Sequence, residues 1–118
     1  MRNDAINAVE ATMRASAALR KHLVASERVG RRMIRALENG VPISESVAVS
    51  GASTAELRRE SRDLAVAYEQ RRHEMREIFV LAALDEHMTI GEIARQLGVS
   101  RQLGSRLVHE AQEHASTK

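Results

Sequence analysis

At 118 residues the chain has the length of one domain, or of two very small ones sharing a core, which excludes a large multidomain enzyme. Apolar residues (43%) and charged residues (29%) stand near the globular average, so a core can form. With Tyr68 and Phe79 the only aromatics that core is aliphatic, and six Gly with one Pro are too few for the turns of a small β fold. A net charge of +2 does not announce a nucleic-acid partner, and the absence of cysteine excludes disulfides, thiol nucleophiles, iron–sulfur clusters and Cys-ligated zinc.

Residues Asn3 to Glu38, rich in Ala, Leu, Arg, Met and Glu, read as one long helix or as two joined near Ser26 to Gly30, capped by Asn3 or Asp4. Ile6, Val9 and Met13, and again Leu19 and Leu23, stand at three- and four-residue steps, and after a slip at Glu27 the pattern resumes with Met33, Ile34 and Leu37, which together form the candidate buried stripe. Asn39-Gly40 before Pro42 is a strong stop, because Gly takes the left-handed position and Pro cannot extend a helix. Arg14, Arg20 and Lys21 interrupt the N-terminal segment, and no apolar run reaches membrane-spanning length. The expectation is a soluble, cytoplasmic protein with no membrane contact.

Ser44 to Ser50 suits a short serine-capped helix ended by Gly51. Ser53 or Thr54 caps a second long helix, Ala55 to about Glu86. Leu57, Leu64, Tyr68, Met75, Ile78 and Ala82 approximate a heptad seam along it, interrupted at Ser61 and Arg71, with room for a break near Arg71 to Glu74. Residues 78 to 84 are apolar all round, which predicts a place in the middle of the core.

The segment from Thr89 to Val108 carries the clearest signals. Thr89 and Glu92 have capping-box spacing; Ile90, Ile93, Ala94 and Leu97 make one buried face, and Ala94 is small where a following helix must cross. Gly98 supplies a positive backbone angle, Val99 fills the corner and Ser100 caps the next helix. That helix is expected to bury Leu103, Leu107 and Val108 and to leave Arg101, Gln102, Ser105, Arg106 and His109 outside, the residue types that bond phosphates and base edges. In these residues the segment, about 89–111, resembles the helix-turn-helix of bacterial transcription regulators. Gly104 departs from the pattern, standing where such motifs place a branched apolar residue. It is compensated either by Leu103 or by a close backbone approach to the first helix or to a DNA groove.

A shift of 47 residues aligns Ala36-Leu37-Glu38 with Ala83-Leu84-Asp85, Ile43 with Ile90, Glu45 with Glu92, Gly51 with Gly98, Ser53 with Ser100 and Arg59 with Arg106. Either these are two capped turns alike by chance, or residues 43–60 are a degenerate copy of the C-terminal motif. Ser46 and Ser50 weaken that copy's buried face, while Glu56 and Glu60 would repel phosphate. Glu69, His73 and Glu77, and likewise His109 with Glu113, have four-residue spacing that suits ion pairs on a charged helix. With no converging ligand set, no metal is expected. Arg28, Arg31, Arg32 and Arg35 form a basic face, and Glu74, Glu77, Asp85 and Glu86 an acidic one expected to be solvated. No nucleophile elbow, phosphate loop or carboxylate pair is present, so no enzyme, cofactor or small-molecule ligand is expected.

The expectation is therefore an all-α chain with an N-terminal oligomerisation segment (1–40), a short helix and long helix (41–72), and a C-terminal unit (73–118). The resemblance implies sequence-specific binding of double-stranded DNA by a transcriptional regulator or repressor. Ser100 would anchor a phosphate, Arg101, Gln102, Ser105 and Arg106 would face the major groove, and His109 and Arg95 would touch the backbone. A homodimer through the N-terminal helix would supply the second half-site. The alternative is an adaptor that binds a transcription or antitoxin partner through its long helices.

Overall fold

The structure, a computed structural model, describes residues 1–49, 51 and 54–117, with Thr54 through its backbone only. Among these residues the chain is all-α, with no strand: α1 (Arg2–Glu38), α2 (Ile43–Val49), α3 (Thr54–Asp85), α4 (Ile90–Leu97) and α5 (Arg101–Ser116). None of these helices is long and apolar enough to cross a membrane. The cap expected from Ser53 or the Thr54 side chain, and Ser50, lie outside the described residues.

α1 and α3 are each continuous. Gly30 does not divide α1, because one glycine costs only about 1 kcal/mol of propensity amid strong helix formers. α3 runs through Arg71, where Thr12 Oγ1 donates to the Arg71 carbonyl at 3.3 Å and Arg71 Nη1 pairs with Glu74 at 3.1 Å. α1 begins one residue ahead of the expected caps: the Ala5 amide already donates to the Met1 carbonyl at 3.0 Å, so Asn3 and Asp4 sit in its first turn. Likewise α2 begins at Ile43, with Ser44 inside it rather than capping it.

The chain divides into two compact units: Met1–Thr12 with Gln70–Lys118, and Met13–Glu69. In the second unit the sheltered residues of α1 are Ala15, Leu19, His22, Ser26, Val29, Gly30, Met33 and Ala36; apart from Gly30 they alternate steps of four and three, the 3.5-residue period of a coiled-coil seam. Only Leu19 and Met33 belong to the large-apolar stripe expected from the sequence; Met13 is 65% exposed and Leu23, Ile34 and Leu37 are also exposed. The seam is built from small and polar residues that an apolar count overlooks. His22 is 6% exposed, its Nε2 lies 2.6 Å from Ser61 Oγ and 3.4 Å from Ser26 Oγ, and its Nδ1 lies 3.6 Å from Glu60. Ser61 thus continues the row Leu57, Leu64, Tyr68 on α3 instead of interrupting it, because a buried imidazole needs a hydrogen-bonding partner.

In the first unit Val80, Ile93, Val108 and Ala111 are the buried centre, ringed by Leu81, Ala83, Leu84, Met88, Ile90 and Leu97. Residues 78–84 are not enclosed on every side. Phe79, about 100° round the helix from Val80, is 49% exposed, since α4 and α5 cover only one face.

The 47-residue offset recurs in backbone geometry. α1 ends at Glu38 and α3 at Asp85, and α2 begins at Ile43 and α4 at Ile90. Val41 N donates to Ala36 O and Met88 N to Ala83 O, each at 3.0 Å; Gly51 N donates to Ala48 O and Gly98 N to Arg95 O, each at 3.2 Å. Gly40 (φ 87°) corresponds to His87 (φ 66°), and Gly51 (φ 77°) to Gly98 (φ 70°). Buried Ser46 takes the place of buried Ile93, its hydroxyl satisfied by the Ile43 carbonyl at 2.8 Å.

Candidate nucleic-acid interface

The C-terminal corner is set by its own short-range chemistry. Thr89 caps α4: the Glu92 amide donates to Thr89 Oγ1 at 3.1 Å, and Glu92 Oε1 accepts from the Thr89 amide at 3.3 Å and from its hydroxyl at 2.9 Å. The hydrogen bonds from the Thr89 hydroxyl and amide hold the Glu92 carboxyl below the usual carboxylate range, with Arg95 adding a smaller favourable charge. A lowered carboxyl contributes stability that is present above its ordinary range and is lost as pH falls through the lowered value. Thr89→Ala is therefore expected to cost about 1 kcal/mol at neutral pH and to lose less than the parent on acidification to about pH 3. Urea unfolding at both pH values checks this.

Gly98, in the left-handed conformation, ends α4, and its amide bonds back into the last turn. Ser100 caps α5 by accepting from the Leu103 amide at 3.1 Å. The chain thus changes helix axis within three residues, 98 to 100, as the sequence predicts. α5 buries Gly104, Val108 and Ala111, with Leu103 and Leu107 half-buried at the flanks, so its inward face is centred one residue further round than the sequence suggests. The reason is Gly104. A Cβ built there would lie 2.6 Å from Ala94 Cβ and 3.2 Å from Ala94 Cα, so the two helices touch at these two small residues. Of the roles open to the glycine, close approach to the preceding helix is the one realised.

The outward face holds the remaining predicted residues. Ser100, Arg101, Gln102, Ser105, Arg106 and His109 are all exposed, as is Arg95 at the end of α4. Ser100, Gln102, Ser105, Arg106 and His109, with Leu103, border one open hollow along the helix. Among the described residues, Arg101, Gln102, Ser105 and Arg106 have no side-chain hydrogen bond or ion pair, whereas His109 Nε2 pairs with Glu113 at 3.1 Å one turn on. The first turn of α5 contains no acid, and Glu110 is the first acidic residue of the helix. The positive end of its helix dipole and two unpaired guanidinium groups therefore act together. An anion, a carbonyl or a purine edge is what such a face can bind.

One grouping was not legible in the sequence. The expected solvated acid Glu77 is only 17% exposed: its Oε1 lies 2.9 Å from His73 Nε2 and 2.6 Å from His114 Nδ1. His114 lies on α5, 37 residues from Glu77, so no local spacing could signal the meeting. Glu69, expected with this group by its spacing, is exposed and lies outside it. No protein-family model, curated protein or solved structure matches this chain.

Proposed function

We propose that this protein is a DNA-binding transcriptional regulator, a repressor, whose α4 and α5 act as a helix-turn-helix with α5 in the major groove of double-stranded DNA. The observation that carries the reading is the face of α5 described above. Arg101, Gln102, Ser105 and Arg106 stand together, exposed and without intramolecular partners among the described residues, on a helix anchored behind by Gly104 and Ala94. Ser100 presents a helix N-terminus to a phosphate, Arg101 and Arg106 reach guanine edges or phosphates, Gln102 reaches adenine or a phosphate, and Arg95 and His109 approach the flanking backbone. The protein works in the cytoplasm as a two-fold homodimer, the exposed Ile6, Met13, Leu23, Ile34 and Leu37 of α1 supplying the apolar surface for pairing. Residues 43–60 are read as a degenerate second copy with an architectural role, since Glu56 and Glu60 oppose phosphate.

Fluorescence anisotropy with a labelled random duplex tests the proposal. With about four phosphate contacts per protomer, and so about eight for the dimer, affinity falls on the order of ten-thousandfold between roughly 50 and 200 mM salt. A second reading, the protein-binding adaptor, is favoured by exposed apolar residues outside α5, among them Ile43 at 82% exposure, Val49 and Val66. It predicts no duplex binding even at low salt, and that result rejects the regulator.

A further inference from the structure

We propose that His73, Glu77 and His114 form a binding site for a borderline divalent transition metal of the zinc, cobalt and nickel class. His73 and Glu77 are one turn apart on α3, and α5 brings His114 to them. One ligand atom from each residue lies within 4.8 Å of the others, and Glu77 Oε1 is shared between the two rings, whose centroids are 6.3 Å apart at 70°. With metal–ligand bonds of about 2.0–2.1 Å, ligand atoms around a tetrahedral ion are roughly 3.4 Å apart. The two His–Glu distances therefore need to open by about half an ångström or a little more, and the two ring nitrogens, within 4.8 Å of each other, to close by at most about 1.4 Å, which side-chain rotations can supply.

The donor set selects the ion. Two imidazole nitrogens and one carboxylate suit Zn²⁺, Co²⁺ and Ni²⁺, and by the same chemistry Cu²⁺ and Fe²⁺, whereas Ca²⁺ and Mg²⁺ need six or more oxygens and soft Cu⁺ needs sulfur. Three protein ligands leave a fourth position for water, and the side chains, from 17% exposed at Glu77 to 56% at His114, leave a route from solvent. Arg76 Nη2 donates to His73 Nδ1 at 2.9 Å, which places the His73 proton on Nε2, facing Glu77. Coordination through Nε2 moves that proton to Nδ1 and displaces Arg76, so the guanidinium competes with the ion and keeps binding reversible. An ion held here ties the C-terminal end of α5 to α3. The site stands independently of the DNA-binding reading and is tested without DNA.

Titration with Co²⁺, followed by its visible ligand-field absorption, is expected to show one ion per chain, displaced by Zn²⁺. His114→Ala and Glu77→Gln should each weaken binding at least about tenfold. His87→Asn, at an exposed positive-φ residue outside the cluster, should bind as the parent does. Saturating Zn²⁺ should raise the parent's Tm on the order of 5 °C and leave that of His114→Ala unchanged. Circular dichroism monitors folding, and His114 is exposed in the last turn of α5, so its replacement by Ala leaves the helices intact. Absence of Co²⁺ binding by the parent up to about 100 µM, or equal binding by both substituted proteins, overturns the proposal.

Discussion

Gly104→Ala is expected to destabilise the C-terminal unit by about 1–3 kcal/mol, although the same change on an open helix face stabilises by about 1 kcal/mol. The two effects oppose each other, and distance decides between them. The new methyl would stand 2.6 Å from Ala94 Cβ and 3.2 Å from Ala94 Cα, and neither atom is the far end of a flexible chain that can swing away. α4 or α5 must shift, and with it the buried cluster of Val80, Ile93, Val108 and Ala111. Ala94→Gly in the same molecule returns the missing space and should recover part of the loss, the remaining 3.2 Å approach to Cα preventing full recovery. Urea unfolding of the parent, the two single variants and the double variant measures the coupling. A gain in stability from Gly104→Ala alone contradicts the close crossing on which the orientation of α5 depends.

Arg101→Ala combined with Arg106→Ala is expected to weaken duplex binding by about 2–6 kcal/mol, thirtyfold or more, while leaving the unfolding transition within about 0.5 kcal/mol of the parent. The separation of the two readouts follows from the exposure of both side chains and their lack of ion pairs among the described residues. If both residues sit on phosphates, the slope of log affinity against log salt also falls by about two per protomer, about four for the dimer. If either reads a guanine, the loss is concentrated on preferred sequences, and random duplex is affected less. Anisotropy on both kinds of duplex distinguishes these cases. Unchanged affinity for both places the contact surface elsewhere.

The parts of this fold that short-range chemistry determines are legible in the sequence. Thr89 with Glu92, Gly98 and Ser100 act within four residues of themselves, and so does the stop at Asn39-Gly40 before Pro42. What escaped the sequence depends on partners distant along the chain. The seam of α1 passes through Ala15, His22 and Ser26, which look unsuited to burial until Ser61 of α3 meets His22. Gly104 looks like a weakness in α5 until Ala94 is seen against it. His73 and Glu77 look like a surface ion pair until α5 delivers His114. The exposure of the outward face of α5 is legible in the sequence because a residue that does not fill the corner with α4 points away from it.

Selection of bound fragments from a random duplex library, run in parallel with the parent and with the Arg101→Ala, Arg106→Ala double variant, tests the reading of α5 most directly. The account predicts that the parent enriches a two-fold-symmetric motif with half-sites about 10 base pairs, or a multiple of that, from centre to centre, and that the double variant does not. Enrichment of the same motif by both proteins, or of no motif by the parent, contradicts it.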